Sequence, residues 1–261
     1  MSETIAQADP LAAEQLTREL AAGRLAVVPT DTRYAIVADA FTPQATRRLM
    51  RARGAGRNRP VPVLIGSRRQ LDGLAEEVTA TIDRLAEEFW PGPLTLIVRA
   101  AAGLTWDLGN TLGTVAVRLP DEPWLQEVLV GHGPLAATGA CRRGRPQADH
   151  VEAARTQLGD TVALYIDAGV RAEPLSTVVD LTRGQVEVRR VGAIAEEDLT
   201  ALTSSHNRTN DADPDADDGT GRSADPSPDP AADTDPDAGP AAGGTGRAHP
   251  TPRRDEDSQE D

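Results

Sequence analysis

The chain has 261 residues, a formal net charge of −14 and one cysteine, Cys141. A single cysteine excludes an internal disulfide framework and a cysteine-rich zinc site. No apolar run approaches the roughly 18 residues that span a membrane, and the first ten residues lack a basic stretch followed by an apolar one. We therefore expect no membrane segment, no signal peptide and a cytoplasmic location.

The composition changes sharply near residue 203. Residues 203–261 contain no Val, Ile, Leu, Met, Phe, Trp, Tyr or Cys, and carry 15 acidic residues against 5 arginines. Because such a segment cannot offset the entropy lost on ordering, we predict a disordered, acidic, Pro/Asp/Ala-rich tail over 203–261. Residues 1–202 are expected to form a single domain, since about 200 residues can bury a substantial α/β core.

All 27 basic residues are arginine, and the chain has no lysine. This excludes Schiff-base chemistry through a lysine and the lysine of a phosphate-binding P-loop. Any cationic site must use guanidinium groups, which bind carboxylates and phosphates in bidentate fashion.

Short apolar runs alternate with helical patterns along residues 1–202. The first half predicts a helix between Pro10 and Gly23, a strand over 24–30, a helix starting at Thr42–Pro43, a strand over 61–67 and an amphipathic helix over 79–89. The next stretch predicts strands over 93–100 and 113–120, a helix around 124–129, a strand over 134–140 and a helix over 150–158. Strands over 161–167, 176–182 and 185–193 and a helix around 195–202 complete the pattern.

This mixture of continuous and alternating apolar runs predicts an α/β fold. We expect a twisted, mixed parallel and antiparallel sheet with helices on both faces. The last three predicted strands follow one another too closely for helical crossovers, so they are expected to add antiparallel strands. There is no Walker motif, no dinucleotide fingerprint and no clustered histidine, so we predict neither those nucleotide sites nor a protein-held metal.

Polar residues stand at the ends of several predicted strands. Thr30, Asp31, Thr32 and Tyr34 follow the first strand, and Arg118 closes the strand over 113–120. Ligands of open α/β sheets collect at such ends. The stretch RARGAGRNRP at 51–60 adds four arginines hinged by glycines, and it predicts a cationic loop at the rim of a binding site.

Together these segments resemble the YrdC/Sua5 family of L-threonylcarbamoyladenylate synthases over about residues 10–200. The resemblance is carried by PTDTRY at 29–34, RPVPVLIGS at 59–67, WPGPLTL at 90–96, VRLP at 117–120, GPLAATGACRRGRP at 133–146 and STVVDLT at 176–182. It implies the YrdC-like fold, with a sheet enclosing a large cationic cavity.

The resemblance also implies a nucleotidyltransferase reaction. Threonine and bicarbonate would form a carbamate that attacks the α-phosphate of ATP, with Mg²⁺ accompanying the triphosphate. The products would be L-threonylcarbamoyl-AMP and pyrophosphate. Since the adenylate serves t6A modification of tRNA at position 37, the expected partners are ATP, L-threonine, bicarbonate, t6A pathway proteins and tRNA.

Individual roles carry over from the family to matching positions. The resemblance assigns threonine binding to Thr30, Thr32 and Tyr34, and catalysis to Arg53 and Arg118. The expected nucleotide-binding residues are Arg57, Arg59, Thr138, Gly139, Cys141, Ser176 and Arg190.

The chain departs from the family at its two signatures. Lys-x-Arg reads Arg53-Gly54-Ala55, Ser-x-Asn reads Gly139-Ala140-Cys141, and Ala35 replaces the glycine of Tyr-Gly-Leu. Losing one preorganised donor costs on the order of 10² to 10³ in rate. Three interpretations stay open: a divergent synthase, a catalytically impaired paralog that binds nucleotide or RNA in the same cavity, and a synthase for another small amine or acid.

Overall fold

The computed structural model describes residues 2–202. In this part of the chain one sheet of ten strands carries helices on both of its faces, which confirms the predicted fold class. No helix among these residues is long and apolar enough to cross a membrane. The tail predicted over 203–261 lies outside the described residues, so its disorder and the domain boundary stay predictions.

The sheet mixes parallel and antiparallel neighbours. The strands are β1 (Glu3–Ala6), β2 (Ala26–Val28), β3 (Ala35–Asp39), β4 (Val63–Leu64), β5 (Leu94–Arg99), β6 (Thr114–Arg118), β7 (Leu135–Gly139), β8 (Leu164–Asp167), β9 (Thr177–Asp180) and β10 (Glu187–Arg190). Their order in the sheet is β1-β8-β2-β3-β7-β4-β6-β5-β9-β10. The pairs β1–β8, β2–β8, β4–β6 and β5–β9 are parallel, and the other neighbours are antiparallel.

The helices begin and end close to the predicted signals. Pro43 opens the second helix, Gly54 ends it with a φ of 69°, and Thr79 caps the fourth by accepting a hydrogen bond from the Ile82 amide. The helices are α1 (Ala12–Ala21), α2 (Pro43–Arg53), α3 (Arg69–Asp72), α4 (Ala80–Phe89), α5 (Pro123–His132), α6 (Val151–Leu158) and α7 (196–202).

Each face of the sheet has its own apolar core. On one face, α2, α4 and α6 bury residues such as Leu49, Leu85 and Ala154. On the other face, α1 and α5 bury residues such as Leu16 and Leu125. Burial of these amphipathic stripes supplies the main stabilisation of the fold.

The second face is covered only in part. On β5, β6 and β9, Thr95, Ile97, Ala116 and Val178 alternate with residues of the first core and line a cavity instead. Side chains of successive strand residues point to opposite faces, so the same strands supply a buried core on one side and a cavity floor on the other.

Two strands, one short helix and the direction of several strand pairings differ from the sequence-based expectation. β1 and β3 were not predicted, and neither was the short helix α3. The expectation that the last three strands are antiparallel is confirmed for the pair β9–β10. It is wrong for β8, which is parallel to β1 and β2, and for the pairing of β9 with β5, which is also parallel. These strands are parallel to these neighbours because the segment 168–176 crosses from β8, near one edge of the sheet, to β9, near the opposite edge, without forming a helix.

Candidate functional site

A cavity of about 360 Å³ lies where the turn after β2, the end of α2 and the ends of β6, β7 and β10 converge. Five arginines line it, and no aspartate or glutamate does. It brings together ten of the twelve site residues predicted from the sequence: Thr30, Thr32, Tyr34, Arg53, Arg59, Arg118, Thr138, Gly139, Ser176 and Arg190.

Arg118 is held rigidly at the cavity wall. Its residue is 7% exposed, and its guanidinium donates to Asp31 Oδ1 at 2.6 Å, to Thr32 Oγ1 at 3.1 Å and to the Gly92 carbonyl at 3.0 Å. Burial lowers the pKa of Arg118, and the neighbouring Asp31 carboxylate opposes that effect. The three bonds fix the orientation of the guanidinium at the surface of the cavity.

Arg53 and Arg190 carry charge that no carboxylate neutralises. Neither forms an ion pair within residues 2–202. Burial lowers the pKa of both, and the charges of Arg118 and Arg53 lower the pKa of Arg190 further. Partly buried guanidinium groups that repel one another favour the binding of an anion between them.

Ser176 positions Arg190 and is itself positioned by Thr95. Arg190 Nη2 donates to the Ser176 carbonyl at 2.8 Å and to its Oγ at 3.1 Å, and the Ser176 and Thr95 hydroxyls lie 3.0 Å apart. Thr95 was not predicted as a site residue. Its lone hydroxyl in the apolar run PLTLIV could have indicated a role at the site, because a buried polar side chain needs a hydrogen-bond partner.

The turn after β2 uses its hydroxyls to hold its own shape. Thr30 Oγ1 donates to the Arg33 carbonyl at 2.5 Å and lies 3.1 Å from Thr32 Oγ1. Tyr34 lines the cavity, but its hydroxyl donates to the Gly169 carbonyl at 2.7 Å and accepts from the Ala168 amide at 2.9 Å. Tyr34 is fully buried and its hydroxyl is already bonded, so it supports the cavity wall, and its role in threonine binding stays a prediction.

Two predicted residues do not line the cavity. Arg57 pairs with Asp107 at 2.8 Å while 54% of its side chain is exposed, and this contact holds the pKa of Asp107 below its usual value. Cys141 is 3% exposed, and burial raises the pKa of its thiol against the opposing charge of Arg53. The geometry gives neither a direct contact with the cavity, and their roles in nucleotide binding stay predictions.

The predicted basic loop begins later than the sequence suggested. Arg51 and Arg53 belong to the last turn of α2, and the loop starts at Gly54. The Arg53 carbonyl accepts a hydrogen bond from the Arg143 amide at 2.8 Å. Arg53 is therefore anchored on a helix and tied to the loop after β7.

Asp31, Arg33 and Gln147 are further residues of the site that the predicted set omitted. Asp31 holds Arg118, whereas Arg33 and Gln147 line the cavity. Asp31 could have been predicted, because it lies within PTDTRY among the polar residues that follow a strand. No local sequence pattern predicts Gln147 as a site residue, because its approach to the cavity depends on the path of the loop after β7.

An open α/β sheet with an arginine-lined cavity beside strand-end hydroxyls defines a binding domain for an anionic ligand. A family model for the Sua5/YciO/YrdC domain, described as telomere recombination, matches residues 18–192. The chain belongs to this family.

Similar proteins share both sequence and fold with this chain. A Mycobacterium tuberculosis protein, provisionally named threonylcarbamoyl-AMP synthase, is 43% identical over 210 residues, which cover 77% of this chain and 95% of the relative. A threonylcarbamoyl-AMP synthase from Pyrococcus abyssi is 32% identical over 179 residues, 68% of this chain and 53% of that protein. The crystal structure of P. abyssi Sua5 complexed with L-threonine has a TM-score of 0.69 and 28% identity, covering 73% of this chain and 56% of that one.

Proposed function

We propose that this chain is a threonylcarbamoyl-AMP synthase that converts L-threonine, bicarbonate and ATP into L-threonylcarbamoyl-AMP, pyrophosphate and water. The observation that carries the proposal is the cavity itself, which gathers Arg53, Arg118 and Arg190 beside the hydroxyls of the turn after β2. The names of the M. tuberculosis and P. abyssi relatives support the same activity. The product would serve t6A modification of tRNA.

The chemistry requires charge stabilisation more than covalent help. The threonine amine and bicarbonate give a carbamate and water, and a carbamate oxygen attacks the α-phosphorus of ATP. The bond from that phosphorus to the bridging oxygen breaks, and its electron pair leaves with pyrophosphate. Positioned cations stabilise the charge that develops on the transferred and leaving groups.

The surroundings of each arginine in the cavity suggest which part of the substrates it contacts. Arg53 and Arg190 have no carboxylate partner among the described residues, so they are assigned to the phosphates. Arg118 is fixed by Asp31 and Thr32, so it orients the carbamate against the α-phosphate. The turn at Thr30–Thr32 and Tyr34 behind it are assigned to the threonine side. Threonine as the amino-acid substrate is supported by the similar P. abyssi Sua5, whose structure is complexed with L-threonine.

Mg²⁺ enters this proposal as part of the ATP substrate. Residues 2–202 contain no group of three or more His, Cys, Asp or Glu side chains that could hold a metal ion, and the cavity lining has no carboxylate. Magnesium at phosphoryl-transfer sites commonly keeps several waters and binds substrate phosphates. The residues present fit an ion carried on the triphosphate and not one held by protein carboxylates.

The direct test is threonine-dependent pyrophosphate release by the full chain supplied with ATP, Mg²⁺, threonine and bicarbonate. We expect release together with a product whose mass equals that of threonylcarbamoyl-AMP, and loss of both in Arg53→Ala. A panel of other amino acids in place of threonine tests whether the amine substrate differs. Pyrophosphate release that ignores both threonine and every substitute amine would contradict the proposal.

An impaired paralog that binds nucleotide or RNA is a second candidate, favoured by the altered signatures. Ala55 and Gly139 line the cavity without a polar side chain, and Cys141 is buried. This function predicts ATP or tRNA binding without product. Calorimetry with ATP and a filter-binding titration with tRNA at two salt concentrations separate it from the synthase, because phosphate contacts make RNA affinity depend steeply on salt.

A further inference from the structure

The side chain of Gln147 occupies space that a side chain at position 139 would need. A Cβ placed on Gly139 would lie 2.4 Å from Gln147 Cδ, 2.6 Å from its Oε1 and 2.8 Å from its Cγ. These are repulsive separations, since non-bonded carbon atoms prefer about 3.5–4.0 Å. Glycine at 139 is therefore what admits the Gln147 side chain to the cavity wall.

The neighbouring strand also presents a small apolar residue here. Gly139 on β7 pairs directly with Ala35 on β3, and directly opposed residues of an antiparallel pair project from the same face. Both residues line the cavity, and neither has a polar side chain. The polar group at this point of the cavity comes from Gln147.

The backbone on both sides of Gln147 is anchored while its amide is free. The Pro146 carbonyl accepts from Gln157 Nε2 at 3.0 Å, and the Ala148 carbonyl accepts from the Tyr34 amide at 3.2 Å. Within residues 2–202 the Gln147 side chain forms no hydrogen bond. The residue is partly exposed, so its amide is not a buried polar group without a partner. A fixed backbone with an unused amide at a cavity surface is suited to ligand contact.

We infer that Gln147 is a substrate-positioning residue whose Nε2 donates a hydrogen bond to an anionic oxygen in the cavity. Five arginines and no carboxylates line the same space, so the ligand oxygen is negatively charged. Carboxylate and phosphoryl oxygens share this chemistry, and the amino acid and the nucleotide are its two possible sources. The inference deepens the proposed function and rests on it for the identity of the ligand.

Two substitutions distinguish donation from space filling. Calorimetric titrations with threonine and with ATP are made separately on the full chain. Gln147→Ala should weaken the affinity for one of the two about tenfold, the expected loss for a hydrogen bond to a charged group. Gln147→Glu should weaken it further, because it keeps the shape but replaces the donor with a negative charge. If Gln147→Glu binds both ligands as the unmodified chain does, the inference is wrong.

A second pair of variants tests whether positions 139 and 147 compete for the same space. Gly139→Ala should move the Gln147 side chain off the cavity wall at little cost in stability, because the atoms that meet the new Cβ are the free end of a flexible side chain. It should weaken binding of the same ligand as Gln147→Ala does, and the double variant should bind no more weakly than Gln147→Ala, since substitutions that act on one contact are not additive. Additive losses of affinity in the double variant would overturn the proposed crowding between these two positions.

The outcomes for Gln147 and for the proposed function can be told apart. Ligand binding that depends on Gln147 without product formation rejects the synthase activity and keeps the role of Gln147. Product formation with unaltered binding in both Gln147 variants rejects the role and keeps the activity. An unmodified chain that binds neither ATP nor threonine overturns both.

Discussion

Arg118 and Asp31 form an ion pair at the cavity wall, with Nη2 2.6 Å from Oδ1 and with side chains only 8% and 13% exposed. The pair joins the end of β6 to the turn after β2. Since Asp31 neutralises Arg118, the uncompensated charge of the cavity belongs to its other arginines. The pair thus fixes the orientation of Arg118 at the cavity wall, whereas Arg53 and Arg190 line the cavity without a carboxylate partner among residues 2–202.

Asp31→Asn should destabilise the protein because it leaves Arg118 buried without its counter-ion. Breaking a buried pair in this way costs about 3 kcal/mol or more, and urea unfolding measures the loss. The matched control is Asp83→Asn, whose partner Arg68 and whose own side chain are 40% and 57% exposed. That exposed pair should contribute no more than about 1 kcal/mol, and equal losses in the two variants would show that Asp31 has no special role.

Arg53 and Arg57 are four residues apart but occupy different surroundings. Arg53→Ala should weaken ATP binding at least about tenfold, because it removes a charged hydrogen-bonding group from the cavity. Arg57→Ala should change ATP affinity less than about twofold, because Arg57 is paired with Asp107 outside the cavity lining. Calorimetry with ATP and Mg²⁺ on both variants is the measurement. A larger loss in Arg57→Ala would place the nucleotide on the loop instead.

Gly192 is required by a close crossing of two segments. A Cβ on Gly192 would lie 2.1 Å from the Leu175 carbonyl oxygen and 2.6 Å from the Ser176 carbonyl carbon. Gly192→Ala should therefore displace Ser176 and with it Arg190. We expect a loss of about 2 kcal/mol in unfolding free energy and weaker ATP binding.

The control for Gly192 is Gly131→Ala, because no atom lies within 4 Å of a Cβ there and the residue is helical. This variant should be neutral or more stable by up to about 1 kcal/mol. If alanine at both positions has the same effect on urea unfolding, the close crossing does not exist in solution.

Much of the fold could be predicted from local pattern. Helix α2 was predicted from Thr42–Pro43 at its start, and helix α4 was predicted from the amphipathic pattern over 79–89. Strand β1 could not be found in this way, because three of its four residues are exposed and its partner β8 lies far along the chain. The parallel pairing of β8 with β1 and β2, and of β9 with β5, depends on the path of 168–176 between them, which no local periodicity records.

Site residues at strand ends could be predicted from the sequence, whereas site residues on loops could be predicted less well. The residues Thr30, Thr32 and Arg118 follow from their positions at strand ends. Arg57 and Cys141 were expected from the resemblance to the family, but Arg57 is paired with Asp107, Cys141 is buried, and neither lines the cavity. Gln147 was missed because it reaches the site only through a glycine on the neighbouring strand.

Cys141 should behave as a buried thiol with little reactivity. It is 3% exposed, and burial raises the pKa of its thiol, with the charge of Arg53 opposing. Only the thiolate reacts with iodoacetamide, so alkylation at pH 8 should be at least about a hundredfold slower in the folded chain than in guanidinium chloride. Alkylation at comparable rates would mean that Cys141 is exposed and available at the rim of the site.

The raised pKa of Cys141 also predicts how stability depends on pH. Below the unfolded value of about 8.5 the thiol is neutral in both states and adds no pH dependence. Above it the unfolded chain releases the proton while the folded chain keeps it, so the stability contributed by this group falls as pH rises toward the folded pKa. Unfolding in urea at pH 7.0 and pH 9.5 should therefore show a smaller loss for Cys141→Ala than for the unmodified chain, and an identical loss in both would contradict the burial of the thiol.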